Sequence, residues 1–194
     1  MILKYDQLQK LSKEYGDSFY MLNSDKFKEN YISLLKSFKD KYAKTSIGYS
    51  YKTNYIPKLC SIVSNLGGYA EVVSQMELEL AYKIGVKPDR IIFNGPYKSI
   101  KSLEKNLLNG AKVNIDSTSE IEKIILIASK YKPRNFKVGI RCNFEISGLG
   151  LSRFGINYTN GELEKAIKSI KKIQNITIAG IHCHFPNRDL KSFE

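Results

Sequence analysis

Apolar residues fall along this chain in two alternating rhythms. Short runs rich in β-branched and aromatic residues, IGYSY, AEVVS, RIIFNG, KVNIDS, FKVGIRCN and ITIAGIHCHF, read as strands. Counted from Ile47, Ala70, Ile91, Val113, Val138 and Ile178, they recur at spacings of 23, 21, 22, 25 and 40 residues. Between them the apolar positions repeat at helical spacing. Ile56, Leu59, Ile62, Val63 and Leu66 share one face, and Leu163, Ala166, Ile167, Ile170 and Ile173 share another. STSE at 117–120 and TNGE at 159–162 have the spacing of capping boxes. Glycines in LGG, IG and NG mark helix ends.

Strand–helix units at this spacing predict an α/β fold with a parallel sheet and right-handed crossovers. A doubly wound sheet and a (β/α)8 TIM barrel compete. No GxGxxG follows the first strand, which favours the barrel. A complete barrel takes about 250 residues. The 194 residues here hold six units, so an incomplete barrel is expected. The N-terminus has a different rhythm. YDQLQKLSKEYG reads as a short helix and DSFYML as a strand that belongs to another sheet. A second helix follows over NSDKFKENYISLLKSFKDKY, with Ser24 as its cap and Phe27, Tyr31, Leu34, Leu35 and Phe38 turned inward.

The first barrel run ends in a lysine. In IGYSYKTNY, Ile47, Tyr49 and Tyr51 alternate with Gly48, Ser50 and Lys52. A strand edge accounts for an exposed lysine, whereas the mouth of a crowded site accounts for the small residues as well. The ends of the other runs carry Glu71 and Ser74, Asn94, Asp116, Arg141, and His182 with His184. Strand C-termini are where barrel enzymes build their sites. Asp116 with Ser117 also reads as a helix cap, and Asn94-Gly95-Pro96 as a turn. Arg141, inside an apolar run, calls for a partner or an anion. The HCH pair suits a metal, but no third ligand is marked by spacing. A histidine ring packed flat on a planar ligand fits better.

Charge and cysteine content change this picture little. There are 31 basic and 19 acidic residues, a net charge of +12, but the lysines are spread over polar helix faces. No nucleic-acid motif accompanies them, so no nucleic-acid partner is expected, while the positive field suits an anionic ligand such as a phosphate. Cys60, Cys142 and Cys183 are too widely spaced for a zinc ribbon or a disulfide framework, which fits a reducing, cytoplasmic setting. MILKYDQLQKL is not a signal peptide, and no run approaches the roughly 20 apolar residues of a membrane span.

The ordered set YGDSFYMLNSDKFKENY, YSYKTNYIPKLCSIVSNLGGYAEVVSQMELELAYKIGVKPDRIIFNGPYKS, VNIDSTSEIEKI, SRFGI and GIHCHF resembles the N-terminal part of the fold-type III pyridoxal-phosphate enzymes. Within these it is most similar to the diaminopimelate and ornithine decarboxylase branch, with alanine racemase more distant. The resemblance covers nearly the whole chain. It implies an alanine racemase-type (β/α)8 barrel over residues 25–194. It also implies that residues 1–24 supply a helix and a strand to a C-terminal β-domain. The cofactor implied is pyridoxal 5'-phosphate.

Lys52, matching the family's Y-x-x-K-x-N pattern, is implied to form the internal Schiff base, and His184 to stack on the cofactor ring. Glu71 stands where the family usually has aspartate in D-V-V-S, near the ring. Arg141 matches a strand-five arginine. Arg153 in SRFGI stands where decarboxylases usually carry lysine, in a substrate or dimer network. The usual H-I-G-S continuation is replaced by HFPNRDL, so a phosphate-holding serine is missing. The glycine-rich phosphate loop is expected beyond Glu194.

The activity implied is decarboxylation of a basic or diamino amino acid by a homodimer. An amino-acid racemase, a non-catalytic pyridoxal-phosphate-binding homologue and a metal hydrolase built on HCH are the rivals. Residues 1–194 alone are expected to be inactive.

Overall fold

The structure is a computed structural model that describes residues 3–145 and 152–184. It divides into two compact units, Met1–Ser46 and Ile47–Glu194. The first unit holds α1 (Tyr5–Tyr15) and α2 (Ser24–Lys39). The cap of α2 is Asn23, whose side chain accepts from the Lys26 backbone N–H, and not Ser24. Only Tyr31 of the expected inward face is buried, while Leu34 and Phe38 are exposed. The expected strand at 17–22 is unpaired, because a strand needs a neighbouring edge and the described residues of this unit offer none.

The second unit alternates β1 (Gly48–Ser50), α3 (Pro57–Asn65), β2 (Tyr69–Val72), α4 (Gln75–Lys83), β3 (Ile91–Phe93), α5 (Ile100–Leu108), β4 (Lys112–Ile115), α6 (Thr118–Lys130) and β5 (Phe136–Asn143). A two-residue strand β6 (Ile156–Asn157), α7 (Glu162–Lys171) and β7 (Ile176–His182) follow. The six barrel strands read from the sequence are all present, and β6, inside SRFGINY, is too short to read. Strands β1 to β5 lie side by side in chain order, and every pairing is parallel. The lower part of β5 also pairs with β7, while its last residues, Cys142 and Asn143, pair with β6. This is the strand set of a (β/α)8 barrel, present in part.

Alternation along the strands decides what goes where. Ala70, Val72, Ile91, Phe93, Val113, Ile115, Val138 and Ile140 point to one face and are buried. They form one core with Leu78 and Ala81 of α4, Leu103 and Leu107 of α5, Ile121, Ile124 and Ile127 of α6, and Ala166 and Ile170 of α7. The helices are amphipathic, so covering the sheet is what makes them stable. The opposite strand face is polar at its upper end. Among the described residues no helix is long and apolar enough to cross a membrane.

Two helix starts depart from the sequence reading. The hydroxyl of Ser117 makes no cap bond to α6; instead Glu120 reaches back to the Asp116 N–H at 2.9 Å. At α7 the cap is Gly161, and Asn160, not Thr159, accepts from the Glu162 N–H.

Gly95, just after β3, has φ +98°, and a Cβ there would lie 2.3 Å from the Val73 carbonyl oxygen. Both the backbone angle and the approach exclude a side chain. Gly95→Ala should therefore cost at least about 2 kcal/mol, read as a lower urea midpoint at unchanged slope.

Candidate active site

The upper ends of the strands enclose a cleft of about 930 Å³. It is lined by Ser50, Lys52 and Thr53 from β1 and its following turn, Glu71 and Val73 from β2, Ile92 and Asn94 from β3, Asn114 from β4, Arg141 from β5, and His182 and His184 at the end of β7. Lys52 occupies the turn after β1, where the Thr53 and Asn54 N–H groups bond back to the Ser50 carbonyl. Its neighbour Tyr51 is 1% exposed and anchors that turn in the core. The strand alternation thus ends with a tyrosine driven inward and a lysine left exposed at the cleft.

Glu71 is held from the side. Asn114 donates its amide to the Asn94 side-chain oxygen at 2.6 Å, and Asn94 donates to a Glu71 carboxylate oxygen at 2.8 Å. Asn114 leans over Gly139, where a Cβ would fall 1.8 Å from its oxygen. Gly139 is in register with Gly180 of β7. The floor between β5 and β7 is therefore bare backbone.

Arg141 is 9% exposed and donates to Asp116 at 2.6 Å. The second Asp116 oxygen accepts the Gly155 N–H at 3.1 Å. Asp116 is thus a partner of Arg141, and the helix-cap reading of this residue gives way. The Arg141 guanidinium lies 5.1 Å from the Phe154 ring centre and that of Arg153 lies 4.8 Å from it. Arg153 does not line the main cleft. It borders a smaller hollow with Pro96, Asp116 and Ser117.

Both histidines reach the cleft because β7 is bulged. Ile178 pairs with Val138, but Gly180 pairs with Gly139, so Ala179 is an extra residue. Ile176 and Ile178 then match the core positions of β5, while Gly180 and His182 match its cleft positions. His182 lies opposite Arg141, and its Nδ1 is buried with no hydrogen-bond partner. Burial and then Arg141 pull the His182 imidazole below its ordinary value, against Glu71 and Asp116. His184 is lowered by burial, then by Lys52 and Arg141. Among the described residues no group of three or more His, Cys, Asp or Glu side chains is placed to hold a metal ion.

Three features suit a planar, anionic, carbonyl-bearing ligand: an exposed amine, a floor without side chains, and an imidazole nitrogen awaiting a partner. The model of pyridoxal-dependent decarboxylases, pyridoxal binding domain, matches residues 28–188. The chain belongs to the pyridoxal-dependent decarboxylase family. Pyridoxal phosphate is its cofactor. Diaminopimelate decarboxylase of Aquifex aeolicus is 30% identical over 193 residues, which cover 94% of this chain and 44% of that protein. The crystal structure of diaminopimelate decarboxylase from Methanocaldococcus jannaschii with L-lysine superposes with a TM-score of 0.80 at 27% identity, over 93% of this chain and 44% of that one. The Helicobacter pylori enzyme with L-lysine gives 0.78 at 26%, over 91% and 46%. The chain therefore spans a little under half the length of these relatives.

Sequence reasoning missed Asn114 and the pair Lys98 and Glu120. Asn114 was legible as the polar position of KVNID. Lys98 was not, because an isolated lysine after a turn reads as solvated. The HFPNRDL departure from the family pattern lies outside the described residues.

Two outcomes follow. Gly139→Ala should destabilise the native chain more than it destabilises an Asn114→Ala background, with a coupling of about 1 kcal/mol in a double-mutant cycle. For pH, both imidazoles titrate in the folded chain below the ordinary value of 6.5. The unfolded chain then binds protons first, so this contribution is complete above about 6.5 and stability falls as pH drops through and below that value. Urea midpoints at pH 7.5 and 5.5 check this, and His182→Gln should flatten the difference.

Proposed function

We propose that this chain is the cofactor-binding half of an amino-acid decarboxylase acting on a basic or diamino acid, with Lys52 holding the cofactor covalently. The observation that carries the reading is the exposed Lys52 amine at a cleft shared with Glu71, Arg141 and His184 in a pyridoxal-dependent decarboxylase fold. Two relatives were solved with L-lysine, the compound left when diaminopimelate loses one carboxyl group, which supports a diamino acid as substrate.

When bound, pyridoxal phosphate supplies an electron sink for the pair left on the α-carbon as carbon dioxide departs. The chain's own residues do the rest. Lys52 Nζ, at the cleft, would provide the amine that condenses with the cofactor's aldehyde, releasing water. Glu71, fixed by the Asn94 amide, would offer the cofactor a held carboxylate. His184 would pack its uncharged imidazole on the ring face, and the burial that lowers its proton affinity favours that form. Arg141, fixed by Asp116, holds an anionic group. Arg153, exposed beside Phe154, belongs to a substrate-end or dimer network. A homodimer that completes the substrate pocket is part of this proposal.

The test uses the full-length protein with pyridoxal phosphate. Borohydride should fix the cofactor on the Lys52 peptide, and Lys52→Ala should lose that adduct. An adduct mapped to another lysine in the variant would overturn the assignment. His184→Ala should weaken cofactor binding roughly tenfold, the scale of one lost stacking contact, and His182→Ala less. The reverse order would exchange their roles. Carbon dioxide release from diaminopimelate, lysine, ornithine or arginine, against loss of optical rotation without it, separates decarboxylase from racemase.

A further inference from the structure

We propose that the buried ion pair Lys98–Glu120 is a positioning device for Arg141, acting through Asp116. Lys98 is 1% exposed and lies outside the cleft. Its ammonium donates to the Gly95 carbonyl at 2.7 Å and to the two Glu120 oxygens at 2.9 and 2.8 Å. All three ammonium protons are thus used. One of those Glu120 oxygens also accepts the Asp116 N–H at 2.9 Å. A single pair thereby ties together the turn after β3, the start of α5, the end of β4 and the first turn of α6. The residue it anchors, Asp116, spends its carboxylate on Arg141 and on the Gly155 N–H. The path runs from Lys98 to Glu120, from there to the Asp116 backbone, and from the Asp116 side chain to the guanidinium facing the cleft.

Stability does not explain the pair. Taking both ions out of water costs as much as their attraction returns, and apolar residues of similar size commonly replace such pairs without loss. Burial does pull the Lys98 ammonium below its ordinary value, against Glu120. What an apolar pair would lack is an acceptor for the Asp116 N–H. That acceptor sets where the Asp116 carboxylate stands, and so where Arg141 stands.

The readout is His182, which lies opposite Arg141. The charged groups that act on it are Arg141 from β5, Glu71 from β2, Asp116 from the end of β4 and His184 beyond β7. The imidazole is titrated by NMR in the cofactor-free full-length protein with labelled histidine and assigned by its loss in His182→Gln. In Lys98→Met/Glu120→Met the Asp116 anchor is lost, Arg141 and Asp116 move relative to the imidazole, and the His182 pKa should shift by roughly half a unit or more. Lys98→Met/Glu120→Gln restores an acceptor for the Asp116 N–H and should bring the value back toward that of the native protein. Val63→Ala, a core change on α3, which carries no member of the network, should leave it unmoved.

An unshifted His182 in the double-methionine variant, with its fold intact by circular dichroism, would overturn the proposal. So would an equal shift in Val63→Ala, or a failure of the glutamine variant to restore the value. A second readout rests on the functional reading above: pyridoxal phosphate affinity, followed by absorbance, should fall in the double-methionine variant and recover with glutamine. Native protein that binds no pyridoxal phosphate would sink the functional reading alone, since the imidazole titration would still decide the positioning role.

Discussion

In-register pairing of parallel strands sorts side chains into layers, and every feature of the cleft is a property of one layer. Ser50, Glu71, Ile92 and Lys112 are successive register partners across β1 to β4. One step up, Asn94 and Asn114 meet above the paired glycines Gly139 and Gly180. At the rim, Asp116, Arg141 and His182 stand side by side. No segment folds to make this site. It is what remains on the far side of the sheet once the apolar half of each strand has been covered by helices.

The layers need walls that do not yield. On the core side these are Val72, Ile115 and Ala128, with no exposed surface. Close packing there transmits any change in strand position directly to the cleft. At the strand ends, where apolar packing stops, polar contacts take over: the asparagine chain on one flank and the carboxylates of Asp116 and Glu120 on the other. The remaining positive charge serves the surface. Lys105, Lys112, Lys123 and Lys130 each lie over a tyrosine ring, so some of the lysines are held locally against aromatic faces.

How much of this the sequence discloses depends on the range of the interaction. The six main strands and the helices between them were legible because a period of two or of 3.6 is local. Lys52, Glu71, Arg141 and His184 were legible as strand-end residues and through the family's motifs. Asp116 was misread as a cap because its partner, Arg141, is 25 residues away. Glu120 was read as half of a capping box, and it does reach back to a backbone N–H, but its second partner is Lys98, 22 residues earlier. The face of α2 was read as inward from periodicity alone, and periodicity identifies an apolar stripe without saying what covers it.

The bulge in β7 is the sharpest case of a long-range choice hidden in a local pattern. By alternation, Ile176, Ile178 and His182 belong to one face. The extra residue at Ala179 breaks that count, so the isoleucines stay with the core while His182 joins the cleft. The bulge works as a reading frame: one residue more or less below it exchanges everything downstream between the two faces. Without the offset, Ile181, now in register with the core residue Ile140, would take a cleft position and His182 a core one. In a lineage of such strands, gain or loss of a single codon could therefore switch the chemistry of a site on or off without touching any residue that performs it.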